Sequence, residues 1–202
     1  MDDHQTKLLE GISELFNSTQ HSDLIIYIGK KELPAHALIL AAQSEFFEKA
    51  LKPGFKEEET KVFRFETGSE HAYWRVFNYL YTGDYSDEPC QDLEVDDDIE
   101  LLKHVRVYEL ADFFFIDNLK ELVRQKFESK LQTCWVSETL VDCISELYST
   151  TPYGKDNAIK RVVLSMVYKN INELWSKRAF KDLVRSNGDF AADLINKVIR
   201  LR

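Results

Sequence analysis

The fold is decided by the stretch from Ser22 to Leu51, SDLIIYIGKKELPAHALILAAQSEFFEKAL. It begins with the β-branched apolar run Leu24–Ile28, which is typical of a strand buried on both faces. Gly29-Lys30 follows, and a glycine at the first central position suits a type II′ hairpin turn. A return strand over residues 31–33 is expected to stop at Pro34, because proline has no N–H to continue a ladder.

The second half of the stretch has the periodicity of helices. After Pro34 the apolar spacing changes from two residues to about 3.6, and Leu38, Ile39, Ala41 and Ala42 form one apolar helical face. Ser44 is suited to cap a second helix that carries Phe46 and Phe47. The stretch therefore predicts a hairpin followed by two short helices.

These residues resemble the opening of a BTB/POZ domain. The likeness rests on Asp23, the Leu33-x-Ala35-His36 step, residues 39–42, Ser44 and Phe46-Phe47. Further on, Tyr79-Leu80-Tyr81-Thr82-Gly83 resembles the helix end that follows in the same family. The resemblance covers about residues 5 to 130 and is greatest to stand-alone forms common in fungi. It implies an α/β (α+β) fold with a small sheet flanked by helices. It also implies a structural family motif made of Asp23, His36, Ser44, Phe47, Tyr81 and Gly83.

Composition and termini indicate the class of protein. The chain has 202 residues, of which 44% are hydrophobic, enough for one core and a smaller annex. No apolar run approaches the ~20 residues that span a bilayer, and the acidic start MDDHQTKLLE is not a signal peptide. The three cysteines, at 90, 134 and 143, form no CxxC pair. We therefore expect a cytoplasmic or nuclear protein that does not bind membranes.

The charge is unevenly distributed along the chain. Residues 1–149 carry 15 lysines and arginines against 30 acidic residues, whereas residues 150–202 carry 11 against 5. The net charge of −9 argues against general nucleic-acid binding, which needs concentrated cationic charge. The basic C-terminal part either presents solvated helix faces or docks on an acidic surface of this chain or of a partner.

An amphipathic helix is expected over residues 6–16. Its apolar stripe consists of Leu8, Leu9, Ile12, Leu15 and Phe16. An isolated helix this short is marginal in water, so the stripe must be buried against something. It is either an ordinary core helix or, as the resemblance implies, the helix by which BTB domains form two-fold dimers. We expect a homodimer with these five residues at the interface.

The middle of the chain completes the expected domain. Residues 62–65 predict a short strand, and Thr67 or Ser69 is expected to cap a helix that ends at Gly83. The acidic stretch 84–98 predicts a surface loop, which lacks the ligand spacing of an EF-hand calcium site. Amphipathic helices dominate the remainder, over about 136–148, 157–172, 175–186 and 189–200. We predict a BTB/POZ domain at 1–130 and a helical BACK-like extension at 131–202.

No catalytic, cofactor or metal site is expected. The glycines are too dispersed for a phosphate-binding loop, and no HExxH, GxSxG or zinc spacing occurs. His36 is either a ligand or base, or a buried structural imidazole. The structural role is favoured, because the sequence fixes no catalytic partner near it. Ala37 stands where many family members carry arginine, which counts against the charged pocket of some transcriptional members.

The resemblance implies a non-enzymatic protein–protein interaction module. Phe55-x-Glu57 resembles the hydrophobic-x-Glu loop by which cullin-binding members of the family engage their scaffold. It therefore suggests a homodimerising adaptor that recruits an unidentified client to a cullin-based ubiquitin ligase. Alternatively, Phe55 anchors an acidic loop within its own domain. The module would then be a transcriptional co-regulator, a structural oligomeriser or a channel-type tetramerisation domain.

Overall fold

The computed structural model describes residues 3–152 and 154–200 and divides into two compact units. Of the described residues, the first unit takes those within Met1–Asp98 and Arg106–Leu122. The second takes those within Ile99–Val105 and Val123–Arg202. The division crosses two helices, whereas the sequence suggested a domain boundary at residue 130. The expected BACK-like extension stays a prediction.

The first unit contains a small sheet and surrounding helices. In chain order its elements are α1 Asp3–Ser13, β1 Leu24–Ile28, β2 Lys31–Ala35, α2 Ala37–Gln43, α3 Glu45–Ala50, α4 Lys56–Thr60, β3 Val62–Phe65 and α5 Glu70–Thr82. Two further helices, α6 Glu100–Phe113 and α7 Asp117–Cys134, contribute residues to both units. This arrangement confirms the expected α+β architecture. The first helix, however, lies three residues earlier than the predicted range 6–16.

The sheet has three strands in the order β2-β1-β3. β1 is antiparallel to β2, with Ile26 opposite Leu33, and parallel to β3, with Ile26 opposite Phe63. Gly29 has a positive φ of 55° at the predicted hairpin turn. Alternate residues of β1 are fully buried, whereas Ile25 and Tyr27 are half-buried. One face of β1 is therefore fully buried and the other only partly, whereas the sequence predicted burial on both faces.

The prediction that Pro34 ends the second strand is also wrong. β2 continues to Ala35, with Pro34 opposite Ile25. The N–H of Ile25 points the other way and donates to the carbonyl of Lys61 on the β3 side (2.9 Å). Because β2 is an edge strand and this pair exchanges no N–H, the missing donor of Pro34 costs no ladder hydrogen bond.

An aromatic core lies between the sheet and the helices of the first unit. Phe47 stacks on Phe114 with ring centroids 5.2 Å apart, and it meets Phe63 edge-on at 5.0 Å. Phe65 and Phe77 surround the same Phe114 ring, at 5.5 and 6.0 Å. Aromatic pairs at such separations add to the free energy of area burial. The core therefore joins the opening stretch to a ring that lies about seventy residues later in the chain.

Helix α5 shows which of two predicted caps is used. The Ser69 hydroxyl accepts a hydrogen bond from the N–H of Ala72 (3.0 Å), so Ser69 is the N-cap and the Thr67 alternative is wrong. At the other end Gly83 adopts φ 75° and its N–H donates to the carbonyl of Tyr79 (2.8 Å). This left-handed ending is the one predicted for Gly83.

The second unit is helical throughout its regular structure. Besides its parts of α6 and α7, its helices are α8 Thr139–Thr150, α9 Ala158–Lys169, α10 Ile171–Ser176, α11 Arg178–Ser186 and α12 Gly188–Arg200. The predicted helix 157–172 ends early, because Asn170 leaves helical geometry and α10 starts directly after it. In the part of the chain that the structure describes, no helix is both long and apolar enough to cross a bilayer.

Candidate interaction surfaces

The Phe55-x-Glu57 segment lies at the start of a short helix. Residues 55–60 were expected to form a loop, but residues 56–60 form α4 with Phe55 as its N-cap residue. The carbonyl of Phe55 accepts the N–H of Glu58 (3.2 Å), which closes the first turn. Three consecutive glutamates in this turn are favourable, because the N-terminal end of a helix attracts negative charge. The helix thereby gives Phe55 and Glu57 a fixed relative placement.

Phe55 is exposed rather than buried in its own unit. Its side chain retains 51% of its possible exposure, so the alternative in which it anchors the loop internally is wrong. Glu58 pairs with Lys61 (3.4 Å). Among residues 3–152 and 154–200, no cation forms an ion pair with the Glu57 carboxylate. An exposed aromatic ring beside an uncommitted carboxylate can insert into an apolar pocket and accept a hydrogen bond from one partner.

The N-terminal stripe divides into an exposed and a packed part. Leu8 and Leu9 on α1 are 58% and 49% exposed. Beyond the end of α1, the Phe16 ring meets Trp74 edge-on at 4.9 Å and Tyr81 at 5.6 Å, so it packs against α5. Ile12 and Leu15 are half-buried. The five residues expected at a dimer interface therefore have unequal places, and the two leucines carry the exposed apolar surface.

His36 is the centre of a buried hydrogen-bond network. It is 6% exposed, and its Nε2 lies 2.8 Å from the carbonyl oxygen of Gln20. A carbonyl only accepts, so Nε2 carries the proton and Nδ1 accepts the hydroxyl proton of Tyr81 (2.9 Å). The Tyr81 oxygen in turn accepts the backbone N–H of His36 (3.0 Å). Burial, the dominant effect, raises the pKa of Tyr81 to about 12, so it remains a donor at neutral pH.

Two further residues of the predicted family motif, Asp23 and Ser44, accept hydrogen bonds from the first turns of helices. Asp23 Oδ1 accepts the N–H of Ala37 (2.7 Å) at the start of α2. The Ser44 hydroxyl accepts the N–H of Phe47 (3.4 Å) and donates to the carbonyl of Phe114 (2.7 Å). Ser44 therefore caps α3, as predicted, and also fixes the position of the ring that fills the core. The side chains of these two residues make structural contacts.

The acidic stretch 84–98 is anchored, although it contains no helix or strand. Arg75, buried on α5, donates to both carboxylate oxygens of Asp97 (2.8 and 2.6 Å) and to the carbonyl of Ser86 (3.0 Å). His71 donates from Nε2 to the carbonyl of Val95 (3.0 Å). Sequence reasoning treated this stretch only as a surface loop. Most positions of α5 are buried, Arg75 among them, and a lone arginine in the sequence of a helix is usually exposed, so the sequence carries no clear signal for this anchor.

A second exposed aromatic surface was also missed. Phe113 and Phe115 are more than half exposed at the end of α6. Phe113 meets Phe46 at 5.1 Å, and the ammonium of Lys49 lies 5.8 Å from the Phe115 ring. The sequence signal was the FFF triplet at 113–115, of which only the central ring enters the core. Exposed aromatic residues are enriched at protein interfaces.

No arrangement suited to a metal ion occurs among residues 3–152 and 154–200, where no group of three or more His, Cys, Asp or Glu side chains is placed to hold one. Of the histidines, His36 and His71 are engaged in the hydrogen bonds described above.

A model of the BTB/POZ domain family matches residues 12–131. The chain belongs to the BTB/POZ domain family. The BTB/POZ domain is a protein–protein interaction module, and the family is one of non-enzymatic modules. The expected likeness to fungal stand-alone forms stays a prediction.

Several curated proteins match part of this chain. BTB/POZ domain-containing protein 9 of Bos taurus is 32% identical over 82 residues, which are 40% of this chain and 13% of that protein. Kelch-like protein 40b of Danio rerio is 33% identical over 78 residues, 39% of this chain and 13% of that protein. Kelch-like protein 28 of Homo sapiens is 29% identical over 80 residues, which are 40% of this chain and 14% of that protein. The chain thus spans only about an eighth of these relatives' lengths.

Among solved structures, the BTB domain of zebrafish PATZ1 is similar to this chain. The two are 19% identical, with a TM-score of 0.49, and the match covers 64% of this chain and 95% of that one.

Proposed function

We propose that this BTB protein is a homodimerising adaptor that recruits a client protein to a cullin-based ubiquitin ligase. The observation that carries the proposal is the surface at the start of α4. There Phe55 is half exposed and Glu57 has no ion-pair partner among the described residues. The pair matches the hydrophobic-x-Glu motif that the family resemblance implies for cullin-binding members. The cullin, the client and the dimer are all parts of the proposal.

The chemistry of this surface suits a specific partner. A phenylalanine that leaves water for an apolar pocket behaves as a binding hot spot, where truncation costs about 2 kcal/mol or more. Glu57, placed by the first turn of α4, can accept a charge-assisted hydrogen bond from the same partner. The helix holds both groups before binding, which lowers the entropy cost of association.

The exposed part of α1 supports the homodimer. Leu8 and Leu9 present adjacent apolar side chains to solvent. Their burial against a second copy would gain about 25 cal/mol per Å² of apolar surface removed from water. A two-fold dimer buries the same stripe on both copies, so each exposed leucine contributes buried apolar area from both chains.

The alternative function, a co-regulator or oligomerisation module without a cullin, has less support. Asp23 is engaged with the N–H of Ala37 (2.7 Å), and position 37 offers no cationic side chain. These two residues therefore lack the charge pairing expected for the pocket of transcriptional members.

Substitution of Phe55 tests the adaptor role. We expect Phe55→Ala to weaken binding to a purified cullin N-terminal region at least tenfold, which corresponds to about 1.4 kcal/mol or more. The melting temperature is expected to stay within the error of measurement, because the ring is exposed. Titration calorimetry beside a thermal melt measures both quantities.

Trp175→Ala is the matched control, since Trp175 is an equally exposed aromatic residue of the second unit. It is expected to bind the cullin as the wild type does. Unchanged affinity of Phe55→Ala, or no cullin binding by the wild type, would contradict the adaptor proposal and leave an oligomerisation module.

A further inference from the structure

A cleft in the second unit lies between α9 and α12. Its volume is about 700 Å³, within the range of pockets that bind ligands or side chains of a partner. The walls are the loop 154–157, one face of α9 and one face of α12. None of these residues belongs to the first unit. The cleft is therefore a feature separate from the cullin-type surface.

The lining of the cleft has an excess of positive charge. Its charged side chains are the cations Lys155, Lys160, Arg161, Lys197 and Arg200 and the carboxylates Asp156, Asp189 and Asp193. Arg161 pairs with Asp156. The hydroxyl of Tyr148 donates to Asp193 Oδ2 (3.0 Å), so this carboxylate is engaged with a neutral donor. The cleft belongs to the C-terminal part of the chain that carries the basic excess.

Lys160 contributes a buried ammonium group to the lining of the cleft. Only 7% of Lys160 is exposed, yet its Nζ donates to a neutral acceptor, the carbonyl of Thr151 (3.3 Å). The ammonium also lies 4.2 Å from the centre of the Tyr148 ring, a cation–π contact. Burial lowers the pKa of Lys160, and the charges of Asp193 and Asp189 raise it. The ammonium adds positive charge to the cleft, and the carboxylates of Asp189 and Asp193 offset part of it.

An apolar strip borders the cleft. Ile195 and Ile199 are 59% and 65% exposed and lie one turn apart on α12. The residue that follows each of them, Asn196 and Arg200, lines the cleft. Because consecutive helical residues are about 100° apart around the axis, the isoleucines lie to one side of the lining residues, on the solvent-exposed surface of α12. The surface therefore combines cations with a ridge of aliphatic side chains.

We propose that this cleft binds an acidic peptide segment that also carries aliphatic residues. Its carboxylates would meet Lys197 and Arg200, and its aliphatic side chains would cover Ile195 and Ile199. A nucleic acid fits less well, because three carboxylates line the same cleft and the whole chain has a net charge of −9. This proposal rests on the proposed adaptor function in one respect: if the protein is an adaptor, the bound segment belongs to the client.

The test is direct binding of designed probes to the full chain. The main probe is a fluorescein-labelled peptide of about 16 residues with glutamates on one helical face and leucines on the other. As a helix it exceeds the ~20 Å length of α12. Comparison probes replace every glutamate by lysine or every leucine by serine, and a labelled oligothymidylate represents nucleic acid. Fluorescence anisotropy at low and at high salt measures each affinity.

We expect the Glu/Leu peptide to bind at least tenfold more tightly than the other probes, and to weaken as salt screens its charges. Lys197→Glu with Arg200→Glu should reduce its affinity at least tenfold. Arg178→Glu with Arg185→Glu, the same charge change outside the cleft, should leave it within about twofold. Lys197→Gln with Arg200→Gln, a milder pair, should give an intermediate loss. Thermal melts identify any variant that fails to fold.

Equal binding of the glutamate and lysine peptides would overturn the proposal. So would an unchanged affinity in both cleft variants, or tighter binding of the oligothymidylate than of the peptide. Cullin binding by Lys197→Glu with Arg200→Glu is measured in parallel and should match the wild type. A failed peptide experiment with intact cullin binding then refutes the cleft alone, and the opposite pattern refutes the adaptor function alone.

Discussion

We expect Tyr81→Phe to destabilise the BTB domain, although the substitution removes only a hydroxyl and leaves the packing contacts of the ring in place. The ring is buried beside Phe16 and His36, and phenylalanine can keep those packing contacts. The hydroxyl, however, donates to Nδ1 of His36 and accepts the backbone N–H of the same residue. The substitution therefore leaves an acceptor and a donor without a partner in a buried site.

The size of the effect follows from those two groups. An unsatisfied buried donor or acceptor costs about 1–3 kcal/mol, and part of that cost is relieved where the site relaxes. We expect Tyr81→Phe to lower the free energy of unfolding by about 2–4 kcal/mol. A Tyr→Phe change at a site without such partners costs much less, because it removes no hydrogen bond.

The same hydroxyl predicts a dependence on alkaline pH. Its pKa is raised from 10.0 to about 12 in the folded protein, chiefly by burial. Folding thus favours the protonated form, and this contribution is fully present below pH 10. It is lost as pH rises through about 12. A pKa difference of about two units corresponds to ~3 kcal/mol of folding stability. The Tyr81→Phe variant has no hydroxyl to titrate, so it should lack this part of the loss of stability at alkaline pH.

Urea unfolding followed by fluorescence measures both effects, at neutral pH and at several alkaline values. Tyr79→Phe is the matched control, because Tyr79 is buried on the same helix and its hydroxyl is outside this network. A loss below about 1 kcal/mol for Tyr81→Phe, or equal losses in the two variants, would refute the reasoning about stranded partners.

Three further substitutions test other parts of the structure. Leu8→Asp with Leu9→Asp should convert the proposed dimer into a folded monomer, as measured by light scattering and circular dichroism; a monomeric wild type at micromolar concentration would contradict the dimer. Asp97→Ala strands the buried Arg75 guanidinium and should cost about 3 kcal/mol, with faster hydrogen exchange in the acidic stretch; unchanged exchange there would show that the anchor is not needed. Ser44→Ala removes a cap and a bond to the core, and urea unfolding should show a loss of about 1–2 kcal/mol, whereas a neutral result would mean that another group caps α3.

Much of the fold could be predicted because the deciding interactions are local. The hydrogen bond from Ser44 to Phe47 joins groups three residues apart, and the left-handed ending at Gly83 concerns a single φ angle. Strand β1 and the turn at Gly29 follow likewise from short-range periodicity and from backbone sterics. Such features depend only on neighbouring residues, so they can be predicted without knowledge of the tertiary structure.

The remainder was decided by tertiary structure, because it depends on groups far apart in the chain. Pro34 fits within β2 only because that strand lies at the edge of the sheet, which no local pattern reveals. The partner of His36 is 45 residues away, and the carboxylate that pairs with Arg75 is 22 residues away. The exposure of Phe55 likewise depends on what the folded core leaves uncovered. Sequence determined which residues could make these contacts, and only the packing of the chain decided which of them did.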